Sequence, residues 1–207
     1  MAAIEIPAAA DPRVKIKRAA RRLFAENGFR SVTVREIAGA AGQKNHGAVG
    51  YYFGSKENLI REIIIDGARL IEARRNDFLD RIEAEGGPAS VYQAVQAIVL
   101  PSAEFSDENP ESGDYFNPFL LLLSLANEEL IVKTLDGRWN SGYQRCLNHL
   151  RRLMPDMPPA AKNRRFVFIA SYVTSLLALR EMMRADKTQA HPGWHSEAML
   201  KDILQTT

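Results

Sequence analysis

Apolar residues recur at helical spacing along most of the chain, and the alternation typical of strands is nearly absent. The first repeat places five side chains on one helical face: Ile16, Ala19, Ala20, Leu23 and Phe24. It begins after Asp11-Pro12, an N-cap followed by proline at the first helical position. Gly28 supplies a left-handed C-cap. The pattern therefore predicts a helix from residue 12 to residue 27.

Two short helices follow. Thr33 and Glu36 have the spacing of a capping box, and Gly42 stops the helix that this box begins. After a turn, residues 47–53 have room for only about two helical turns. Three of their side chains are expected to face inward: Val49, Tyr52 and Phe53. Tyr51 should then face outward.

Longer helices make up the rest of the chain. Ser55 is placed to cap a helix that runs to about residue 85. Further helices are predicted over residues 88–100, 119–134, 136–154, 159–187 and 196–205. Residues 101–118 hold five acidic residues, three prolines and no Lys or Arg, which predicts a loop. The fold class is therefore all-α, with three short N-terminal helices followed by a larger helical bundle.

Charge separates the two parts of this chain of 207 residues. Residues 1–62 contain 11 Lys and Arg against 6 Asp and Glu, whereas the remainder contains 16 against 19. A basic N-terminal part on a slightly acidic body suggests an anionic partner. The single cysteine, Cys146, excludes an internal disulfide and fits a cytoplasmic protein. The apolar run 166–179 is too short to span a bilayer, so we expect no membrane partner.

Two short helices joined by a turn with glycine are typical of a helix-turn-helix, whose second helix enters the DNA major groove. Gly47, Ala48 and Gly50 would keep one side of that helix slim enough for its backbone to approach DNA. Donors that can reach bases or phosphates are Lys44, Asn45, His46, Tyr51 and Lys56. The basic stripe Lys15, Arg18 and Arg22 is either a solvated face or a phosphate contact.

The segment IKRAARRLFAENGFRSVTVREIAGAAGQKNHGAVGYYFGSKENLI, residues 16–60, resembles the N-terminal domain of the TetR family of bacterial transcriptional regulators. It departs from the family pattern by one extra residue between Gly42 and Phe53, and by Gly50 where a tyrosine is common. The resemblance implies a DNA-binding domain at 1–54 and a ligand-binding and dimerisation domain at 55–207. It also implies that the neighbourhood of Thr33, including Arg35, contacts DNA phosphates. Tyr52 is either a DNA contact or part of the packing.

The resemblance further implies a homodimer that binds a near-palindromic double-stranded operator and releases it when a small-molecule inducer binds. Residues 166–179 and the last helix would form the dimer face. Candidate residues for the inducer cavity are Phe116, Phe119, Trp139, Tyr143 and Tyr172, although most of them should be ordinary core. Two rival functions are a DNA-binding regulator without an inducer and, more remotely, a helical enzyme or carrier.

No catalytic constellation is recognisable in the sequence, so we expect no enzyme activity and no cofactor. His191 and His195 are spaced like a metal pair, but Pro192 and Gly193 lie between them and no third ligand is suitably placed. The sequence therefore predicts no metal site.

Overall fold

The computed structural model describes residues 11–108 and 115–207. These residues form helices and no strand, in agreement with the all-α prediction. In chain order the helices are α1 (Pro12–Asn27), α2 (Val34–Ala40), α3 (Ala48–Phe53), α4 (Lys56–Ala84), α5 (Val91–Asp107), α6 (Phe116–Leu135), α7 (Ser141–Leu153), α8 (Pro159–Ala185), α9 (Pro192–His195) and α10 (Glu197–Thr206).

Three predicted helix starts, those after Asp11, Thr33 and Ser55, are confirmed by their capping hydrogen bonds. The Asp11 carboxylate accepts from the Arg13 amide, and Ser55 Oγ accepts from the Asn58 amide. In the capping box the Thr33 amide donates to the Glu36 carboxylate over 2.7 Å. The Glu36 amide donates to Thr33 Oγ1 over 3.3 Å, so both halves of the box are present.

One hydrophobic core joins the three N-terminal helices to the first part of the bundle. It includes Phe24, Ile37 and Phe53 from α1 to α3 and Ile63 from α4. Phe119 of α6 completes it, in ring contact with Phe24 at a centroid distance of 6.1 Å. The helix-turn-helix segment is therefore packed on α4 and α6 without a break in the core.

A second core lies further along α4, where α5, α7, α8 and α10 surround it. Its fully buried residues include Leu79, Ala94, Cys146 and Leu150. Burial raises the pKa of the Cys146 thiol to about 11, so this cysteine is an uncharged apolar group of the interior.

The prediction for residues 88–118 was wrong in two respects. Helix α5 begins after Ser90, whose hydroxyl accepts from the Gln93 amide, and it continues through Pro101 to Asp107. Pro101 has no N–H, so it cannot donate to the Ala97 carbonyl one turn earlier. That carbonyl instead accepts from Nε of Arg75, a side chain of the neighbouring helix. The predicted loop is therefore helical over 101–107 and again from residue 116, while residues 109–114 lie outside the described residues.

The prediction for residues 136–154 was also wrong at its start. Asp136, Gly137 and Trp139 all have left-handed backbone angles, which break the helix, and α7 begins only at Ser141. Helix α6 contains a kink at Asn127, whose side-chain oxygen accepts from the Leu130 amide as an internal N-cap.

Helix α8 is 27 residues long and, among the described residues, is the one helix that is long and apolar enough to cross a membrane. About a third of its most apolar window is buried in the fold. Core helices of water-soluble proteins meet the same criteria of length and composition, so this feature is weak evidence for a membrane span.

Candidate functional site

The turn between α2 and α3 is shaped by its own side chains. Gly42 adopts a left-handed conformation with φ of 67°, which ends α2 without the strain that a Cβ would add. Asn45 Oδ1 accepts from the Gly47 amide at 2.8 Å, and the Asn45 carbonyl accepts from the Ala48 amide. This asparagine turn starts α3, so Asn45 has a structural role in addition to any contact with DNA.

Most of the predicted DNA-binding residues are exposed to solvent. Tyr51 is the most prominent, with 82% of its surface exposed, and its ring meets Tyr52 edge-on at a centroid distance of 4.9 Å. Tyr52 is half-buried and packs on the first core. The other exposed residues among those predicted to bind DNA are Thr33, Arg35, Lys44, Asn45, His46 and Gly50.

Ala48 differs from the sequence-based expectation. Its side chain is buried with that of Val49, so it belongs to the inner face of α3 and not to the slim outer face. The outer face near the helix start therefore consists of Gly47 and Gly50.

Lys56 is half-buried and is engaged in contacts within the fold. Its ammonium donates to the carbonyls of Phe29 and Val32, both in the link between α1 and α2, each over 2.5 Å. It also lies 5.4 Å from the ring centre of Phe24. Partial burial lowers the pKa of Lys56, and the nearby Glu36 carboxylate opposes that effect. Lys56 therefore fixes the α1–α2 link through two of its three N–H donors.

Arg13, which the sequence did not single out, holds the end of α3. Its guanidinium donates to the Tyr52 carbonyl at 2.5 Å and to both oxygens of Glu62 at 2.6 Å. It also lies over the ring of Phe53, 4.6 Å from the centroid. These contacts tie α1, α3 and α4 together. No local pattern marks Arg13, because its partners lie 39 and 49 residues further along the chain.

The basic stripe of α1 lines a cleft against the end of α2. Lys15, Arg18 and Arg22 face Ala40 and Gly42 across a space of about 380 Å³. The carbonyl end of α2 carries partial negative charge, so part of this positive charge is compensated within the fold.

A cavity of about 220 Å³ lies inside the bundle, between α4, α5, α6, α7 and α8. Its polar lining consists of Arg75, Ser102, Asn117, Tyr143 and Thr174, and the rest is aliphatic. A larger groove of about 710 Å³ between α6 and α8 shares four lining residues with it, so the two spaces adjoin.

The five aromatic residues predicted for an inducer cavity occupy different environments. Tyr143 lines both the cavity and the groove, and burial raises its pKa. Phe116 and Phe119 are fully enclosed in the first core. Trp139 lies in the α6–α7 link beneath the Arg138 guanidinium, and the exposed Tyr172 hydroxyl bonds to Thr206 Oγ1 at 2.7 Å.

Within residues 11–108 and 115–207, no group of three His, Cys, Asp or Glu side chains is arranged to hold a metal ion. His191 bonds through Nε2 to Asp186 at 2.9 Å. The pKa of Asp186 lies below its ordinary value, mainly because the Thr188 hydroxyl donates to this carboxylate. The hydrogen bond from His191 lowers the pKa further.

An all-helical fold in which an exposed helix-turn-helix precedes a bundle defines a class of DNA-binding transcription regulators. The family described as bacterial regulatory proteins, tetR family, matches residues 16–63, and the tetracycline repressor-like C-terminal domain matches residues 96–205, more than half of the chain. The chain therefore belongs to the TetR family of bacterial transcriptional regulators.

Two curated relatives are similar over the N-terminal part only. The HTH-type transcriptional repressor AcnR of Corynebacterium glutamicum is 44% identical over 61 residues, which cover 29% of this chain and 32% of the relative. AcnR of Corynebacterium efficiens is 43% identical over 61 residues, with the same coverage. The match thus spans about a third of the length of these relatives.

Solved structures of two family members resemble the whole chain in fold. The TetR family regulator PfmR of Thermus thermophilus has a TM-score of 0.57 and 20% identity, covering 92% of this chain and 97% of its own. A tetR-family regulatory protein from Rhodococcus RHA1 has a TM-score of 0.57 and 18% identity, covering 95% and 96%. At these identities the likeness concerns the fold alone.

Proposed function

We propose that this regulator is a homodimeric, cytoplasmic repressor that binds a near-palindromic DNA operator and leaves it when a small molecule occupies the bundle. Residues 1–54 would bind DNA, and residues 55–207 would bind the ligand and the second subunit. The observation that carries the proposal is the exposed surface around Tyr51 on a helix that Arg13 and Asn45 hold in place.

The exposed side chains around Tyr51 supply the hydrogen-bond donors that would contact DNA. The Tyr51 hydroxyl and the side chains of Arg35 and Lys44 can donate to phosphate oxygens. Asn45 and His46 stand at the start of α3, the part of a recognition helix that meets base edges. Gly47 and Gly50 leave room for the backbone to approach the groove.

A homodimer is supported by the outer face of α8. Five of its larger apolar side chains are exposed in the single chain: Val167, Phe168, Tyr172, Leu179 and Met182. Contiguous exposed apolar surface of this kind is typical of an interface. A second copy of the same face would bury it, and a dyad would place two recognition helices on successive half-sites about 34–36 Å apart.

Helix α4 provides the mechanical link between ligand and DNA. Near its start, Glu62 and Asp66 form ion pairs with Arg13 and Lys17 of α1. Further along, Arg75 lines the bundle cavity, about 20 Å from Glu62 at 1.5 Å per residue. A ligand that shifts α4 would therefore move the helix-turn-helix. A coupling of about 1–3 kcal/mol would change operator affinity by a factor of roughly 5–150.

The test is fluorescence anisotropy of the purified chain on DNA from upstream of its own gene and on scrambled DNA, across salt concentrations. We expect a preference of about 10³-fold or more for the specific site. Tyr51→Ala should remove most of it, whereas Tyr92→Ala, a half-exposed tyrosine on α5, should not. Equal binding to both DNAs would call for a selection of genomic fragments by the purified protein. If that selection also yielded no preferred fragment, the proposal would be wrong.

Dimerisation has its own test. Phe168→Glu places a charge in the centre of the exposed α8 face and should shift the sedimentation coefficient towards that of a monomer, while Val91→Glu on α5 should leave it unchanged. A Phe168→Glu protein that remains dimeric would exclude this face as the interface.

A further inference from the structure

The bundle cavity contains a guanidinium that the fold holds in place at its wall. Arg75 is 8% exposed, and its Nε donates to the Ala97 carbonyl at 3.2 Å. Its Nη1 donates to Glu72 at 2.9 Å, and its guanidinium lies 5.7 Å from the ring centre of Tyr143. These contacts fix the direction of the side chain before any ligand arrives.

The far nitrogen of this guanidinium remains available. Among the described residues, no hydrogen-bond partner is found for Nη2 of Arg75, although Arg75 lines the cavity. Glu72 does not depend on Arg75 alone, because it also accepts from Ser141 Oγ, the Gly142 amide and Asn76 Nδ2. A ligand with a hydrogen-bond acceptor can therefore accept from Nη2 of Arg75 while the Glu72–Arg75 ion pair stays intact.

The charge and the shape of the cavity and the adjoining groove restrict the chemical class of the ligand. The cavity lining contains one basic side chain, the hydroxyls of Ser102, Tyr143 and Thr174, and no acidic side chain. Carboxylates and phosphates are the acceptors that match a fixed guanidinium best, and the carboxylate is the smaller group, which suits the small inner cavity. The adjoining groove is lined by seven aliphatic side chains of α6 and α8, among them Leu121 and Val167, together with hydroxyl groups and one carboxylate, Glu128.

We propose that the ligand of this regulator is an amphipathic carboxylate, with its head on Arg75 and an apolar chain that passes Tyr143 into the α6–α8 groove. The inference rests on the proposed ligand-responsive function and adds the chemical class of the ligand. At about 220 Å³ the inner cavity takes only the head and the first few carbons, because cavities for whole drug-sized ligands begin near 300 Å³.

The test is isothermal titration calorimetry of the full chain with decanoate, 1-decanol and butyrate. Decanoate should bind at least about tenfold more tightly than 1-decanol, which has the same tail and no charge, because hydrogen bonds to charged groups are the stronger ones. Butyrate should also bind more weakly, since it leaves the groove empty. Equal affinity for decanoate and 1-decanol, or no binding of decanoate, would overturn the proposal.

Variants locate the binding. Glu72→Gln combined with Arg75→Gln removes both charges of the pair, so no lone buried charge is left to unfold the chain. It should weaken decanoate binding at least about tenfold, as should Ala170→Leu, which fills the junction of cavity and groove. The control Arg81→Gln removes an exposed arginine of the same helix and should bind decanoate normally. Normal decanoate binding by the double variant would overturn the assignment to Arg75.

A parallel anisotropy measurement separates this inference from the proposed function. Decanoate binding that depends on Arg75 and releases DNA supports both. Binding that depends on Arg75 and leaves DNA affinity unchanged supports the site and overturns ligand-controlled release. Specific DNA binding with no decanoate binding overturns the ligand class and leaves the DNA-binding function standing.

Discussion

The ring of Phe116 lies against the backbone of Gly67 at the point where α6 crosses α4. A Cβ placed on Gly67 would lie 2.1 Å from Cζ of that ring and 2.2 Å from Cε2. The ring also contacts Phe105 and Phe119 in the first core, and these contacts restrict its movement. Gly67 therefore sets the closest approach of the two helices that connect the DNA-binding segment with the bundle.

We predict that Gly67→Ala lowers the free energy of unfolding by about 1–3 kcal/mol, the usual cost of overpacking a core. The control is Gly39→Ala. Gly39 is an exposed helical glycine with no atom within 4 Å of an added Cβ, so this substitution should raise the free energy of unfolding by about 0.5–1 kcal/mol. Urea unfolding of both variants measures this. A Gly67→Ala protein as stable as the wild type would show that α6 can shift freely on α4.

The residues whose roles could be predicted from the sequence are those that interact with residues nearby in the chain. Asp11, Thr33 and Ser55 cap helices through amides two or three residues away, so their roles were visible in a window of a few letters. Tyr51 could be assigned to the outer face of α3 because helical spacing fixes which neighbours point inward. The arrangement of short helices likewise predicted the helix-turn-helix.

The residues that were missed depend on contacts across the fold. Gly67 is required by a ring 49 residues later in the chain, and Arg75 is required by the carbonyl that Pro101 leaves without a donor. Pro101 was interpreted as the end of a helix, because a proline cannot donate the backbone hydrogen bond that continues the helix. In this fold the Arg75 side chain of another helix donates to the Ala97 carbonyl in its place. Only tertiary packing supplies that replacement.

Arg13 should affect DNA binding through the position of α3. We predict that Arg13→Gln and Glu62→Gln each weaken specific operator binding by a factor of roughly 5–30, as expected for the loss of 1–2 kcal/mol of positioning. The two substitutions change net charge in opposite directions, so a purely electrostatic role would make Glu62→Gln bind more tightly. Anisotropy at several salt concentrations measures both effects.

The control for this pair is Glu57→Gln, which removes the same charge from the same helix but loses only an exposed ion pair with Arg61. It should bind the operator as well as the wild type or slightly better. Tighter binding by Glu62→Gln would refute the positioning role of Arg13.

Glu181 should make stability depend on pH. This carboxyl of α8 is 6% exposed and accepts from the amides of Phe116 and Asn117 at the start of α6, at 2.9 and 3.0 Å. Burial raises its pKa, and the hydrogen bonds from Asn117 and Phe116 oppose the rise. The folded chain therefore holds the Glu181 proton more tightly than the unfolded chain does.

Because the folded pKa is the higher one, the stabilisation from Glu181 is complete below the ordinary carboxyl value and is lost as pH rises through the folded value. We predict that the free energy of unfolding of the wild type falls relative to that of Glu181→Gln as pH rises above the ordinary carboxyl range. Glu129→Gln is the control, since the Lys133 ammonium lowers the pKa of that exposed carboxyl and its dependence should have the opposite sign. A wild-type curve parallel to that of Glu181→Gln would contradict the prediction.

The contact between Arg75 and the Ala97 carbonyl should appear as an energetic coupling with Pro101. In the wild type, Arg75→Met leaves that buried carbonyl without a donor, in addition to removing the partner of Glu72. With Pro101→Ala in place, the new amide at position 101 can donate to the Ala97 carbonyl one turn earlier. Arg75→Met should therefore cost less in the Pro101→Ala background.

A double-mutant cycle on the free energy of unfolding measures this coupling. The loss of the Glu72 partner occurs in both backgrounds and cancels, so the remaining term reports the Ala97 carbonyl. We expect about 1–3 kcal/mol, the cost of an unsatisfied buried acceptor. Costs that add to within about 0.5 kcal/mol would show that Arg75 does not replace the bond that Pro101 removes. In that case Arg75 would be oriented by Glu72 and Tyr143 alone.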